Sequence, residues 1–450
     1  MYYPPYFLRF LLLAAGLSLG GCDKQPTDPS GQMAEATPQK ISGIEESGMD
    51  KAVRPGDDFN RFANGTWLDS TEIPPDKNVI GSFRTLHDQS EAQIQAIIQD
   101  ISEHTQAAGS DEQKVGDMYR SYMNMEIRNQ AGISPLTEDF ASIDAIENTK
   151  DLASYFATAL QAGIRPVITA YVAADLKAPE NHTFYIHQGR LGLPDREYYL
   201  KDDSKYADIR KQYIAHLDAM LQLADIENPS GDAAQRIMAL ETQLAQAHMA
   251  KEERRDPVKN YNPHSYDALT ELMPAFDWAA YFTAAKTGIL EKVIVGQVDY
   301  LRQLNKLIDQ TQLEDWKLLL KWTLLNNYAN YLSEALDNQD FAFYGTVMQG
   351  TTEQRERWRR GVSSVNYNIG ELVGKIYVKR HFSPEAKARM LVLVNHLLKA
   401  YEVSINDLSW MGDETKKAAI QKLKNFTVKI GYPDKWKDYS GLSIQPDYLF

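Results

Sequence analysis

Residues 311–332, TQLEDWKLLLKWTLLNNYANYL, decide the fold class because their large apolar side chains recur at the spacing of an α-helix. These side chains are Leu318, Leu319, Trp322, Leu325 and Tyr328. Thr311 followed three residues later by Glu314 is typical of a capping box, in which two side chains bond to free backbone N–H groups. The segment therefore predicts a helix that begins after Thr311 and buries one face.

Other segments carry the same helical signals. Residues 111–132, DEQKVGDMYRSYMNMEIRNQAG, have helical apolar spacing and end at Gly132, a residue type favoured after helix C-termini. Further along, Ser383 is the predicted N-cap of a helix with Pro384 at its first position. Asp413 is predicted to cap the next helix. The fold class is therefore predicted to be mainly α.

One region departs from the helical pattern. Residues 167–173 and 183–187 are rich in Val, Ile, Thr and Tyr, which favour strands, and a segment containing Pro and Asn connects them. They are predicted to pair as an antiparallel β-hairpin, followed directly by residues 190–200 as an ordered loop. The expected fold is a multi-helix domain with a small β-hairpin.

Composition places the chain among ordinary globular proteins. It has 450 residues, of which 43% are hydrophobic and 24% charged, and this is enough to bury a core. The formal net charge is −13, so nucleic acid is not an expected partner. The single cysteine, Cys22, excludes an internal disulfide and a zinc site built from several cysteines.

The N-terminus has the organisation of an exported protein. Residues 7–19 form an apolar run that is too short to span a bilayer, and LGGC follows, ending at Cys22. This pattern is similar to the lipobox of bacterial lipoproteins. Residues 1–21 are therefore predicted to be a lipoprotein signal peptide and Cys22 the lipidated residue; the alternative is a plain signal peptide with a chance cysteine. Residues 22–53, which are poor in large apolar side chains, are predicted to be a flexible linker.

These features predict a location in the bacterial cell envelope. The folded part, residues 54–450, would face the periplasm and be held at the membrane by the lipid on Cys22. Asp23 directly after the cysteine slightly favours the inner membrane over the outer membrane.

The sequence predicts no catalytic residue and no metal ligand. None of the nine histidines occurs in the spacing H-E-x-x-H, which would place two imidazoles on one face of a zinc-binding helix. His182 and His187 are five residues apart, so on a strand they would face opposite sides and would not share a metal.

The basic run RERWRRG, residues 355–361, allows two interpretations. It is either a contact site for nucleic acid or membrane, or the solvated start of a helix whose arginines pair with Glu353 and Glu356. The second interpretation is preferred because these glutamates lie within the run or beside it.

Five segments, in order along the chain, resemble the N-terminal region of the neprilysin family of zinc metallopeptidases. They are residues 54–74 (RPGDDFNRFANGTWLDSTEIP), 190–200 (RLGLPDREYYL), 254–263 (RRDPVKNYNP), 355–382 (RERWRRGVSSVNYNIGELVGKIYVKRHF) and 429–436 (KIGYPDKW). The resemblance implies that residues 54–450 are the family's N-terminal helical domain. In the family this domain caps the catalytic cavity and restricts entry to oligopeptides.

The resemblance also implies what the chain lacks. In the family, the zinc-binding H-E-x-x-H helix, a further glutamate ligand and a substrate-binding N-A-x-Y stretch follow the region that matches here. No residue of this chain corresponds to them, so zinc is expected only in the full-length family member and no cofactor in this chain.

Two functions remain open at this point. The chain is either the N-terminal part of a membrane-anchored zinc metalloendopeptidase that hydrolyses oligopeptides, or a stand-alone, non-catalytic lipoprotein that binds peptides or other partners. The abrupt end at Phe450 favours the first. The sequence predicts no oligomeric state.

Two residue-level expectations also come from the resemblance. In neprilysin, an arginine and an aspartate after the opening motif help to bind the C-terminal end of the substrate, and the corresponding positions here are Val79 and Arg84. Arg84 is the one predicted substrate-binding residue, with a surface salt bridge as its alternative role. In animal members, cysteines at the positions of Tyr122 and Gly361 form a disulfide, so these two residues are expected to be close neighbours.

Overall fold

The computed structural model describes residues 44–164, 166–227 and 230–449. The chain divides into two compact units, Met1–Glu72 and Ile73–Phe450. The predicted signal peptide, the lipidation residue Cys22 and the predicted linker up to residue 43 lie outside the described residues. Within the described part of the chain, no helix has the length and apolar character needed to cross a membrane.

The first unit is built around helix α1 (Phe59–Ser70), which follows a 3-10 turn at Glu46–Gly48. The hydroxyl of Thr66 in α1 donates a hydrogen bond of 2.8 Å to the Met49 carbonyl just after the turn. The 3-10 turn lies inside the segment predicted as a linker.

The second unit contains most of the secondary structure. Its helices are α2 (Ser82–Glu103), α3 (Asp111–Met123), α4 (Met125–Ala131), α5 (Thr137–Asp144), α6 (Thr149–Gln161), α7 (Glu197–Leu200), α8 (Ser204–Leu223), α9 (Ala233–Ala247), α10 (Tyr266–Leu272), α11 (Trp278–Ala284), α12 (Val298–Gln310), α13 (Leu313–Tyr328), α14 (Glu334–Asp340), α15 (Arg357–His381), α16 (Pro384–Asp407) and α17 (Asp413–Lys424). A π-helix, Phe341–Val347, continues directly from α14. The prediction of a mainly α fold is confirmed.

A four-stranded sheet has the strand order β1-β2-β4-β3. Its strands are β1 (Ile168–Ala174), β2 (His182–Gln188), β3 (Asn262–His264) and β4 (Val293–Val295). β1 and β2 pair antiparallel, which confirms the predicted hairpin, while β2 and β4 run parallel. The sequence did not indicate β3 and β4, because three-residue strands are too short to show an alternating pattern.

Two hydrophobic clusters stabilise the second unit. The larger one joins α5 to α14 around the sheet, and its fully buried side chains include Trp278, Trp316 and Trp322. The smaller one lies where α15 packs on α2 and α3, and includes Ile98 and Val365. Burying one large apolar side chain contributes about 1.5–3 kcal/mol. The apolar face predicted from the segment around α13 is part of the larger cluster.

Two predicted helix boundaries were wrong. α13 begins without a side-chain cap, because Gln312 occupies its N-cap position and Thr311 is the C-cap of the preceding helix α12. The predicted helix over residues 111–132 is two helices, α3 and α4. The chain breaks at Asn124, whose side chain caps α4 by accepting a backbone N–H hydrogen bond of 3.2 Å. Gly132 lies directly after α4 with φ +56°, as expected for a helix end.

The capping predictions for the last two helices had different outcomes. Ser383 caps α16 and accepts a hydrogen bond from the Ala386 N–H at 3.2 Å, as predicted, with Pro384 at the first position. Asp413, in contrast, is the first residue of α17, and Gly412 occupies the cap. A carboxylate in the first turn still interacts favourably with the helix dipole.

The basic run of residues 355–361 is neutralised by carboxylates that are distant in sequence. Arg355 donates hydrogen bonds of 2.6 and 2.8 Å to Glu91 on α2, and Arg360 donates bonds of the same lengths to Asp337 on α14. Both carboxylates are buried. The predicted pairing with a neighbouring glutamate holds for Arg359, which lies 3.2 Å from Glu356. Arg355 and Arg360 instead bond to the distant carboxylates, because their side chains are turned towards α2 and α14. These two arginines are structural and are not a free cationic surface.

Helix α15 approaches α3 closely at Gly361. A Cβ atom added to Gly361 would lie 2.9 Å from the Tyr119 ring and 3.2 Å from the Tyr122 ring. Tyr122 and Gly361 are therefore in contact, as predicted. A larger residue than glycine does not fit here without a shift of one of the two rings.

Helices α16 and α17 have no buried residues, unlike the core helices. α16 exposes several large apolar side chains, namely Met390, Val392, Leu393, Leu397, Tyr401 and Val403. Met390, Leu393, Leu397 and Tyr401 recur at helical spacing and so share one face of α16, and an exposed apolar face is typical of one that another protein surface covers.

Candidate functional site

A cavity of about 1140 Å³ lies beside the sheet and the loop that follows β2. Its wall contains residues 187–197, residues 248–251 and parts of α13. Ordinary small-molecule sites measure roughly 300–1,000 Å³. The cavity is therefore large enough to hold a segment of an oligopeptide.

The 190–200 motif is held in this wall by one buried carboxyl group, that of Glu241 on α9. Its Oε1 accepts a hydrogen bond from the Gly192 N–H at 3.1 Å, and its Oε2 accepts from the hydroxyls of Tyr199 at 2.8 Å and Tyr213 at 3.0 Å. The Glu241 residue is only 2% exposed, so these bonds form in surroundings of low dielectric constant, where they are strong. The motif is thereby fixed to both α8 and α9.

The two tyrosine hydroxyls extend this network because each also accepts a hydrogen bond. Tyr199 accepts from the Leu193 N–H at 2.9 Å, and Tyr213 accepts from the indole N–H of Trp322 at 3.0 Å. Glycine is required at position 192, since a Cβ atom there would lie 1.8 Å from the Tyr213 hydroxyl. The motif is an ordered loop, as predicted, although its last four residues form α7.

Burial raises the pKa of two carboxyl groups in the cavity wall. Burial raises the pKa of Glu241 to about 7, against the opposing effect of its hydrogen bonds. Burial, followed by the negative charge of Asp337, raises the pKa of Asp340 to about 7 as well. Below that pH both groups are largely protonated, so they add little negative charge to the cavity.

Two histidines line the same cavity as neutral imidazoles. The pKa of His248 is lowered to about 3, first by burial and then by the charges of Arg254 and Arg196. The pKa of His187 is also lowered, first by burial and then by Arg254. Both ring nitrogens of His187 have side-chain partners, whereas Nε2 of His248 is buried without a hydrogen-bond partner.

The cations in the wall differ in their pairing. Lys251 lies 3.5 Å from Asp195 and 3.4 Å from Glu197. Arg196 and Arg254 have no carboxylate within 4.0 Å among the residues that the structure describes. The cavity wall therefore carries positive charge that is not neutralised by an ion pair.

The residues singled out from the sequence lie mostly away from this cavity. Arg84 is exposed in the first turn of α2 and does not line the cavity. It has no carboxylate partner within 4.0 Å in the described ranges, and its role in substrate binding stays a prediction. His182 is exposed, whereas His187 lines the cavity, so the two do not form a joint site.

The described residues contain one group of potential metal ligands, His87, Asp88 and Glu91 on α2. Glu91 already binds Arg355, and Asp88 accepts a hydrogen bond from Lys77. A zinc ion would have to displace these cations, so this donor set does not fit a zinc site. The zinc that the family resemblance implies has no ligand set among these residues.

The fold of this chain is similar to part of a known zinc metalloprotease. The crystal structure of zinc metalloprotease Zmp1 from Mycobacterium tuberculosis, solved with an inhibitor, matches with a TM-score of 0.85 and 38% sequence identity. The match covers 91% of this chain and 62% of that chain. The sequence profile of the N-terminal part of peptidase family M13 matches residues 55–433. The chain belongs to peptidase family M13, which confirms the resemblance to the neprilysin family.

Curated relatives agree with this assignment. Human endothelin-converting enzyme 1 is 29% identical over 451 residues, which covers 94% of this chain and 56% of that protein. Mouse membrane metallo-endopeptidase-like 1 is 27% identical over 439 residues, which covers 89% of this chain and 57% of that protein. The chain therefore spans a little over half the length of these relatives.

Sequence reasoning missed the residues that shape the cavity. Glu241 lies on the apolar face of α9, four residues after Ile237 and three before Leu244, and both neighbours are buried. A charged residue at such a position is a signal of a buried polar network. Arg196 and Arg254 lie in the motifs of residues 190–200 and 254–263, but no local sequence pattern indicates that these two motifs line one cavity.

Proposed function

We propose that this chain is the N-terminal part of a membrane-anchored zinc metalloendopeptidase that hydrolyses oligopeptides, and that this part restricts the size of the substrate. The observation that carries the proposal is the cavity of about 1140 Å³ walled by the 190–200 motif. Membership of peptidase family M13 supports it, as do relatives described as a metallo-endopeptidase and as a converting enzyme for endothelin.

In this proposal the zinc site belongs to a region of the protein that this chain does not contain. The bound zinc would polarise the scissile carbonyl and activate a water molecule. The residues of this chain would bind and orient the peptide and exclude bulk water. The exposed apolar face of α16, with Met390, Leu393 and Leu397, offers a surface that the remaining part of the protein would cover.

The proposed contribution of the cavity wall is recognition of extended peptides. The Glu241 network fixes the loop before a peptide binds. Less binding free energy is therefore spent on ordering the protein. His187 and His248 are neutral, so they would contribute hydrogen bonds and stacking, while the charge of the wall comes from arginine and lysine.

The proposal includes a lipid anchor on Cys22. The LGGC pattern after the short apolar run supports this, and several acyl chains on one residue would give stable membrane attachment. The folded part would face the periplasm, with the inner membrane favoured by Asp23.

Peptide binding and hydrolysis test this proposal. The 450-residue chain should bind unstructured oligopeptides without cleaving them, and a longer form that includes an H-E-x-x-H region should cleave them in a chelator-sensitive reaction. Cleavage should fall steeply when the same sequence is presented within a folded protein. Zinc-dependent cleavage by the 450-residue chain alone would contradict the proposal. A longer form that binds peptides and never cleaves them would favour a non-catalytic binding protein.

A further inference from the structure

We propose that Arg196 and Arg254 form a binding subsite for a peptide carboxylate in the wall of the cavity. This inference rests on the proposed function and deepens it, because it names the group of an oligopeptide that the cavity recognises. Four observations carry it: the position of the two arginines, the way the fold holds them, the charges around them and a buried imidazole beside them.

The two arginines come from separate motifs that meet at one cavity. Arg196 lies in the 190–200 motif between β2 and α7, and Arg254 lies in a 3-10 turn, Glu253–Arg255. Both side chains line the cavity, and both act on the same imidazole, that of His248. The charges of the two arginines therefore act on one region of the wall.

Hydrogen bonds join the chain just before the first segment to the chain just before the second, and fix the second segment. The side chain of Gln188 at the end of β2 accepts a bond from the Met249 N–H at 2.9 Å and donates one to the Met249 carbonyl at 3.5 Å. The Asn260 side chain donates to the Arg254 carbonyl at 2.9 Å. The arginines are thus carried by a rigid frame, which reduces the ordering needed when a ligand binds.

The nearby carboxylates are already engaged with other partners. Asp195 and Glu197 lie next to Lys251, and Glu197 also pairs with Lys201 at 3.1 Å. Glu241 accepts three hydrogen bonds in the motif network.

The acids beside the second arginine are engaged as well. Glu253 pairs with Lys259 at 3.1 Å, and Asp256 accepts hydrogen bonds from the backbone N–H groups of Val258 and Lys259. Neither Arg196 nor Arg254 has a carboxylate within 4.0 Å in the described part of the chain. A ligand carboxylate could therefore bind these two arginines without first breaking an ion pair within the protein.

A guanidinium group matches a carboxylate because its N–H groups form two parallel hydrogen bonds to the two oxygens. His248 lines the same wall, is 7% exposed, and its Nε2 has no hydrogen-bond partner. Nε2 of this neutral imidazole would form a hydrogen bond with a peptide group next to the carboxylate. The same chemistry is offered by a peptide C-terminus and by a glutamate or aspartate side chain.

Fluorescence anisotropy with three labelled oligopeptides separates these sources. The peptides share one neutral sequence and carry a free C-terminal carboxylate, a C-terminal amide, or an amide with one internal glutamate. The 450-residue chain should bind the free acid about tenfold more tightly than the plain amide. Arg196→Gln and Arg254→Gln should each bring this ratio close to one. Arg389→Gln, which removes the same charge from an exposed position on α16 outside the cavity wall, should leave the ratio unchanged.

The outcomes separate this inference from the function on which it rests. If the glutamate-containing amide binds as tightly as the free acid, the subsite stands and accepts either carboxylate. Equal binding of all three peptides by the unmodified chain would overturn the subsite and leave the proposed peptide binding intact. Binding of none of them would overturn both. Arg196→Lys keeps the charge without the two-pronged geometry and should retain part of the preference, which a merely structural role would not predict. Circular dichroism and the thermal midpoint verify that each variant is folded.

Discussion

Replacing Glu241 by alanine should destabilise the protein strongly, because two buried hydroxyls and one partly buried N–H group share this one carboxyl group. The Gly192 N–H and the hydroxyls of Tyr199 and Tyr213 would lose their acceptor. Each unpaired buried donor costs about 1–3 kcal/mol. Since three donors lose their acceptor, we expect a loss of roughly 3–5 kcal/mol in the free energy of unfolding at about pH 5.

The size of this loss should depend on pH in a direction set by the pKa of Glu241. Its folded-state pKa is raised from 4.5 to about 7. A raised pKa means that the protonated group contributes its full stability below 4.5 and that this contribution is lost as the pH rises through about 7. Between about pH 5 and pH 8 this amounts to a change on the order of 2–3 kcal/mol. The destabilisation caused by alanine should therefore be smaller at the higher pH.

Urea unfolding at the two pH values, followed by tryptophan fluorescence, measures both effects. Glu241→Gln removes the titration but keeps most of the shape, so it should gain stability relative to the unmodified protein as the pH rises. Gln243→Ala, at an exposed position on the same helix, is the matched control and should change stability by less than about 0.5 kcal/mol. A loss below about 1 kcal/mol for Glu241→Ala at the lower pH, well under the cost of one unpaired network, would refute the reasoning.

Three further predictions concern the helix contacts and the anchor. Gly361→Leu should destabilise the protein by about 1–3 kcal/mol in urea unfolding, because the leucine side chain would overlap two tyrosine rings. Gly370→Ala on the same helix, where an added Cβ meets nothing within 4 Å, should be neutral or stabilising. Equal effects of the two substitutions would contradict this prediction. Asp337→Ala should cost roughly 3 kcal/mol in the same assay, since it leaves the partly buried Arg360 without its carboxylate. Asp299→Ala, which removes a carboxylate from an exposed pair, should cost less than about 1 kcal/mol. A small loss at both positions would count against a structural role for the basic run. Cys22→Ala should release the protein from bacterial membranes or leave its signal peptide uncleaved, as measured by cell fractionation and mass spectrometry. A variant that has the mature size and stays in the membrane would rule out lipidation.

The sequence by itself determined the fold class and the family. The helix around residues 311–332 and the cap at Ser383 follow from residues only a few positions apart, because apolar spacing and capping are local effects. The hairpin of β1 and β2 follows from β-branched residues near each other in sequence. The order of the five motifs identified the family without reference to the fold.

Contacts between distant segments were decided only by the tertiary structure. The carboxylates bonded to Arg355 and Arg360 lie on α2 and α14, and local charge patterns could not show this. The same holds for Glu241, whose three donors come from two other segments, and for the convergence of Arg196 and Arg254. The physical reason is that burial and long-range hydrogen bonding depend on which elements pack together. In the sequence, Glu241 is an ordinary polar residue on a helix. It stabilises the cavity wall only because the fold brings three hydrogen-bond donors within reach of its carboxyl group.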